Sequence, residues 1–196
     1  MKKIIYFLGL FLVLAVALPN TGMAQVKHLT RKEQRKLEKQ KRKEERQKKD
    51  AVSRKFYAHL IQSKNFVFQA TRLYGPDGSF FSVSPTLNFV AIKNNEIVLQ
   101  FAFQGVIGWN GVGGITAEGF LKGFKFNPGK NSHQAMTVSS RIQPKGPGGS
   151  PYFTMTVGDD GSTEISVTLE NGQMIRMGGQ LYSPSQASVY KGQTLP

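Results

Sequence analysis

Between Asn65 and Tyr182 the chain runs in short segments of alternating apolar and polar residues, broken by turn signals. Such a period-2 pattern leaves few architectures open. Phe66, Phe68 and Ala70 alternate with Val67, Gln69 and Thr71 ahead of Gly75-Pro76-Asp77-Gly78. Asn88 to Lys93 and Glu96 to Phe103 flank Asn94-Asn95, a two-residue hairpin signal, and Ile97, Leu99, Phe101 and Phe103 share one face of the second run. A glycine-rich loop, Gly105 to Gly114, leads to Ala117 to Phe126, where Phe120, Phe124 and Phe126 are expected in register. Further strands are predicted over Gln134 to Ile142 and Tyr152 to Val157. Asp159-Asp160-Gly161 turns into Glu164 to Glu170, and Asn171-Gly172 turns into Gln173 to Tyr182. The fold class is therefore mainly β: an antiparallel meander of about seven or eight strands forming a small barrel or a sandwich.

A long basic helix is expected before it. Thr30 and Glu33 match a capping box, and neither Gly nor Pro occurs from Thr30 to Ser63. Glu38 precedes Arg42, Glu44 precedes Lys48, Glu45 precedes Lys49 and Asp50 precedes Arg54, each at the i to i+4 spacing that supports a helix by roughly 0.2–0.5 kcal/mol. From Leu29 to Asp50 the only apolar residues are Leu29 and Leu37, so this stretch has no stripe to bury and is solvated all round. From Ala51 onward Val52, Phe56, Tyr57, Leu60 and Ile61 gather on one face, and the last turns are expected to dock on the β domain.

Charge follows the same division. The chain carries a formal net +14, and residues 25–55 hold fourteen Lys/Arg against five acids, a net +9, so the basic character belongs to the arm. Residues 1–24 read as a signal peptide: Lys2 and Lys3 precede an apolar run from Ile4 to Leu18, and Gly22-Met23-Ala24 supplies a cleavage site after Ala24. The run is short for a membrane span and Pro19 ends it, so no transmembrane span is expected after cleavage. No lipobox cysteine follows, and the expected location is the periplasm or the outside of the cell. The domains are then 1–24 signal peptide, 25–62 basic helical arm with 51–62 amphipathic, 63–182 β domain, and 183–196 a loosely held tail in which Ala187 to Tyr190 has the pattern of a short edge strand.

With no cysteine, disulfides, thiolate zinc sites and cysteine nucleophiles are excluded. His28, His59 and His133 have no metal-ligand spacing, and His59 reads as a helix-surface residue. The β domain's acids fall in turns or on outward strand positions, with Glu118 beside the glycine-rich loop the only one of interest. No catalytic residue, metal or cofactor is nominated, and the chain is not expected to be an enzyme. Two surfaces are candidates for binding. Arg35, Lys39, Arg42, Arg46 and Lys49 could meet an anionic envelope surface or an acidic protein. Export and the interleaved acids argue against nucleic acid. Val106, Ile107 and Trp109 in the glycine-rich loop could form an apolar mouth or partner-binding loop.

Ser63-Lys64-Asn65-Phe66-Val67-Phe68-Gln69-Ala70, the strand Ile97-Val98-Leu99-Gln100-Phe101-Ala102-Phe103, the segment ending Gly113-Gly114-Ile115 and the closing Gly172 to Tyr182 together resemble the exported bacterial family known as domain of unknown function 4251, over residues 55–182. The resemblance implies a β-rich envelope domain and brings no catalytic residue with it. The expectation is an exported structural or interaction module. The alternative is a lipocalin-like carrier with a small apolar ligand in a Phe-lined interior.

Overall fold

A computed structural model describes residues 30–102, 113–130, 134–146 and 149–192. Helix α1 spans Arg31–Gln62. It is followed by β1 (Asn65–Tyr74), β2 (Phe80–Ser82), β3 (Phe89–Lys93), β4 (Glu96–Ala102), β5 (Gly114–Asn127), β6 (Met136–Pro144), β7 (Tyr152–Val157), β8 (Ser162–Thr168) and β9 (Met174–Tyr182). Two compact units divide at Arg42 and Lys43.

In the second unit each strand from β3 to β9 pairs antiparallel with the next, β1 pairs with β3, and β9 returns to pair with β1 from Val67↔Tyr182 to Tyr74↔Arg176. The result is an eight-stranded antiparallel barrel, which decides between barrel and sandwich. The extra strand β2 pairs only with the far end of β1, Arg72↔Ser82 to Tyr74↔Phe80. Outside the register shifts in β1 and β5, inward positions alternate along the eight barrel strands and merge into one core that includes Phe66, Phe68, Val90, Ile97, Phe153, Ile165 and Met177. An eight-stranded barrel is just wide enough for such side chains to fill it.

Three hairpins share one turn chemistry. In Gly75–Ser79 and Gly158–Ser162 the Asp77 and Asp160 carboxylates each accept from the backbone N–H and the hydroxyl of the serine two residues on, with the hydroxyl bond at 2.6 Å in both. Asn171 does the same for the N–H of Gln173 at 3.0 Å. The following glycine in each has a left-handed φ, 85° at Gly78 and 81° at Gly161 and Gly172. Asn94, at φ 60°, bends the hairpin between β3 and β4.

The expected register of Phe120, Phe124 and Phe126 is broken. A bulge between Lys122 and Lys125, with Gly123 at φ 65°, shifts the parity of β5. Leu121 points in before it, Phe124 and Phe126 pack on the core after it, and Phe120 is left outside under the Lys145 ammonium, 5.2 Å from the ring centre.

α1 begins with the capping box: the Glu33 N–H donates to Thr30 Oγ1 at 3.3 Å and the Thr30 N–H to Glu33 Oε2 at 2.8 Å. It ends with Ser63 Oγ donating to the Leu60 carbonyl and Lys64 at φ 50°. Leu60 and Ile61 enter the barrel core, but Val52 and Phe56 stay 69% and 45% exposed, against expectation. The docked face is turned instead onto Arg54, Tyr57, Ala58 and Ile61, because the barrel end presents polar partners. Arg54 binds Asp159 at 2.5 Å and donates to the carbonyls of Pro128 and Gln134, and so does not serve Asp50 four residues before it. Lys64 donates to Asn95. These partners lie in the turns β5–β6, β7–β8 and β3–β4, so the last turns of α1 sit across that end of the barrel.

Tyr57 rests on the turn glycine: a Cβ added at Gly161 would lie 2.2 Å from its ring, whereas one at Gly172 meets nothing within 4 Å. Gly172→Ala is therefore predicted to cost about 1 kcal/mol, the strain of a left-handed alanine. Gly161→Ala should cost at least twice that, because it also lifts the helix off the barrel. Urea unfolding of the two variants checks the difference, and equal losses would mean that the Tyr57 contact contributes nothing.

Candidate functional site

The basic segment is the first candidate. Every residue from Arg31 to Val52 is exposed. Arg35, Lys39, Arg42, Arg46 and Lys49 recur at steps of four, three, four and three, the repeat of one helical face. Arg42 pairs with Glu38 at 2.6 Å, with both side chains more than half exposed. Such a pair is worth a few tenths of a kcal/mol and exchanges readily for another anion.

The second candidate, Val106, Ile107 and Trp109, lies outside the described residues. The described ends of β4 and β5, Ala102 and Gly114, lie at the barrel mouth away from the turns that meet Arg54 and Lys64. Among the described residues that mouth carries Phe81 and Ile115, 64% and 47% exposed, beside the half-buried Leu73 and Ile175.

A third arrangement involves the tail expected to be loosely held, with an edge-strand pattern over Ala187 to Tyr190. The tail after β9 is held against the outer wall of the barrel. Gln69 Nε2 donates to the carbonyls of Pro85 and Ser188, at 3.1 and 2.8 Å. Gln100, fully buried, donates to the carbonyls of Leu87 and Tyr190 and accepts from Thr116 Oγ1 and the Gly192 N–H. Those four bonds use the full capacity of a glutamine amide. The Tyr190 N–H donates to the Thr86 carbonyl. Alternate residues 188, 190 and 192 are thus bound through their main chain, as in a β-ladder, while the Val189 and Tyr190 side chains stay exposed. Val67 and Phe89, on the outer side of β1 and β3 and outside the barrel core, are both buried.

Glu118 belongs to this strap. It pairs with Lys191 and, at 3.3 Å, with Lys145, which also reaches Glu96 at 3.6 Å. The hydrogen bond from Lys191 is the main reason its carboxyl titrates below the ordinary value; burial opposes the shift and Lys145 adds to it. The other acids have structural work as well. Asp159 holds Arg54, Glu170 accepts from the Ser150 N–H, and Asp77 and Asp160 shape turns, where the serine hydrogen bonds lower their carboxyl pKa values. Among the described residues no group of His, Asp or Glu is placed to hold a metal, and His59 is exposed on α1.

The pH dependence of the strap follows from Glu118. A carboxyl with a depressed folded-state pKa stabilises above its ordinary pKa, and that stability is lost as pH falls through the folded value. Exchange of the Tyr190 and Gly192 amides, corrected for intrinsic rates, is predicted to be slow at neutral pH and to accelerate in acid below the ordinary carboxylate range. Glu118→Gln should exchange faster at neutral pH and lose the acid step. Unchanged exchange in that variant would show that Lys191 does not hold the strap.

The family model described as Domain of unknown function (DUF4251) matches residues 48–181. The match takes in the docked end of α1 and all nine strands as far as Leu181, and begins C-terminal to Arg35, Lys39, Arg42 and Arg46. A crystal structure of a DUF4251 family protein from Bacteroides eggerthii is similar to this chain, with a TM-score of 0.56 at 23% identity over 70% of this chain and 91% of that one. At that identity the likeness speaks for the fold. No curated protein matches.

Proposed function

The chain belongs to the DUF4251 family, and from that premise we propose that it is a non-enzymatic interaction module of the cell envelope, a barrel that carries a basic helix for anionic surfaces. The observation that carries this reading is the uninterrupted exposure of Arg31 to Val52, with Arg35, Lys39, Arg42, Arg46 and Lys49 at face-forming spacing and no apolar stripe to bury. A solvated helix so rich in cations gains little by packing on its own protein, but each cation gains near a surface of opposite charge. The engagement of Glu118, Asp159, Asp160 and Glu170 in ion pairs and turns supports the absence of catalysis, since none is left paired with a second free carboxylate. The signal-peptide pattern of residues 1–24 supports export.

Replacing Arg35, Lys39, Arg42, Arg46 and Lys49 by Gln in the otherwise intact chain should abolish its co-sedimentation with the envelope fraction of its host at low salt. Added salt should release the unaltered protein. Sedimentation that survives the five substitutions would sink this reading.

A second reading, a carrier of a small apolar ligand, draws on the exposed Phe81 and Ile115 at the barrel mouth. Native mass spectrometry of the protein from its own envelope discriminates the two: a retained apolar molecule favours the carrier, and bare protein counts against it.

A further inference from the structure

Helical geometry sorts the charges of the first unit more sharply than their order in the chain suggests. At about 100° per residue, Arg31, Lys32, Arg35, Lys36, Lys39 and Arg42 all fall within roughly 140° of arc. Glu33, Gln34, Leu37, Glu38, Gln40 and Lys41 occupy the remainder. Every one of these twelve residues is exposed. The segment is therefore not evenly charged: six cations form one face without an acid among them, and both acids lie off it.

We infer that this face lies flat on the phosphate plane of an anionic phospholipid bilayer and holds there without insertion. The inference rests on the anionic-surface reading above and names its partner. Three observations favour the bilayer. The only apolar side chain in the segment, Leu37, sits on the opposite arc, so the face has nothing to bury among acyl chains and nothing to anchor in a protein partner's pocket. A helix seated in a duplex groove has phosphates on both flanks, where Glu33 and Glu38 would meet them; a plane meets one face alone. The Arg42–Glu38 ion pair at the edge of the face is solvent-exposed and is given up at little cost when a phosphate replaces the carboxylate.

The arrangement of charge, and not its amount, is what the inference asserts. A charge-conserving variant tests it: Lys32→Gln, Gln34→Arg, Arg35→Gln, Leu37→Lys, Lys39→Gln and Gln40→Lys, made together in the chain from residue 25 onward. Three cations leave the face and three appear around the rest of the helix, with net charge unchanged and good helix formers at every site. Binding is measured at low salt to vesicles of phosphatidylcholine mixed with phosphatidylglycerol, with phosphatidylcholine alone as the blank and a short DNA duplex as competitor. Circular dichroism confirms that both proteins keep their helix.

The unaltered chain should bind the mixed vesicles, ignore the blank, and keep its vesicle binding in the presence of the duplex. The rearranged chain should bind about a hundredfold more weakly, since each cation near an anionic leaflet strengthens binding about fivefold. Equal binding by the two chains would overturn the inference while leaving the anionic-surface reading in place, because net charge alone would then suffice. Displacement of the unaltered chain from vesicles by the duplex would overturn the choice of partner. Failure of the unaltered chain to bind mixed vesicles, with envelope association intact, would overturn the lipid assignment alone; failure of both would remove the reading beneath it.

Discussion

The pairing of β1 with β9 is the contact on which the rest of the second unit depends. β1 is ten residues long and has three partners: β3 along its first half, β2 along its last residues, and β9 along the opposite edge. Closing the sheet there removes the free edges that a meander would otherwise present. It also assigns every strand position to inside or outside. The seam bends at a register shift between Ala70 and Arg72, and the opposing strand answers with Gly178-Gly179, where a Cβ on Gly179 would stand 2.0 Å from the Gln69 carbonyl. Two backbones can approach this closely only because no side chain stands between them. Closure sends Phe66 and Phe68 inward and leaves Val67 and Gln69 outward, where Gln69 holds the strap through the Ser188 carbonyl.

Local chemistry made most of the elements legible in the sequence. Asp-Gly and Asn-Gly turns, clean alternation such as Ile165-Ser166-Val167, and the Thr30–Glu33 box are interactions between residues close in the chain, and the structure places all of them where the pattern does. Features set by distant partners were not legible. Barrel and sandwich share the same period of two, so the choice depended on β1 meeting β9, residues more than a hundred positions apart. The three-residue β2 is too short to show a period, and the bulge at Gly123 reverses the parity that would have set Phe120 beside Phe124. On α1 the apolar periodicity favoured Val52 and Phe56, but the barrel end offered Asp159 and two turn carbonyls, and Arg54 rotated the docked face to itself.

The strap could have been suspected from one signal. Ile97-Val98-Leu99-Gln100-Phe101-Ala102 is apolar on both parities, the mark of a strand covered on both faces, and a glutamine in such a run needs partners for its whole amide. Two of those partners, Leu87 just before β3 and Thr116 in β5, are close to it in the neighbouring wall, and the other two, Tyr190 and Gly192, come from a tail whose only signal is the edge-strand pattern of Ala187 to Tyr190. The first unit of the basic helix shows the converse: from Arg31 to Arg42 its acids and bases interleave in sequence, and projection around the helix sets six cations apart from both acids. Of the residues singled out in the glycine-rich loop, Val106, Ile107 and Trp109, none bears on these conclusions.

The central claim is that a helix with charge on one side binds an anionic surface by that side. Because the chain has no cysteine, a single cysteine at Lys39 or at Leu37 can carry a nitroxide label as its sole thiol adduct. These two positions lie on opposite sides of α1. On vesicles containing phosphatidylglycerol, collision with a water-soluble relaxation agent should fall for the label at 39 and stay unchanged for the label at 37. Equal accessibility of the two labels, bound and free, would contradict the account.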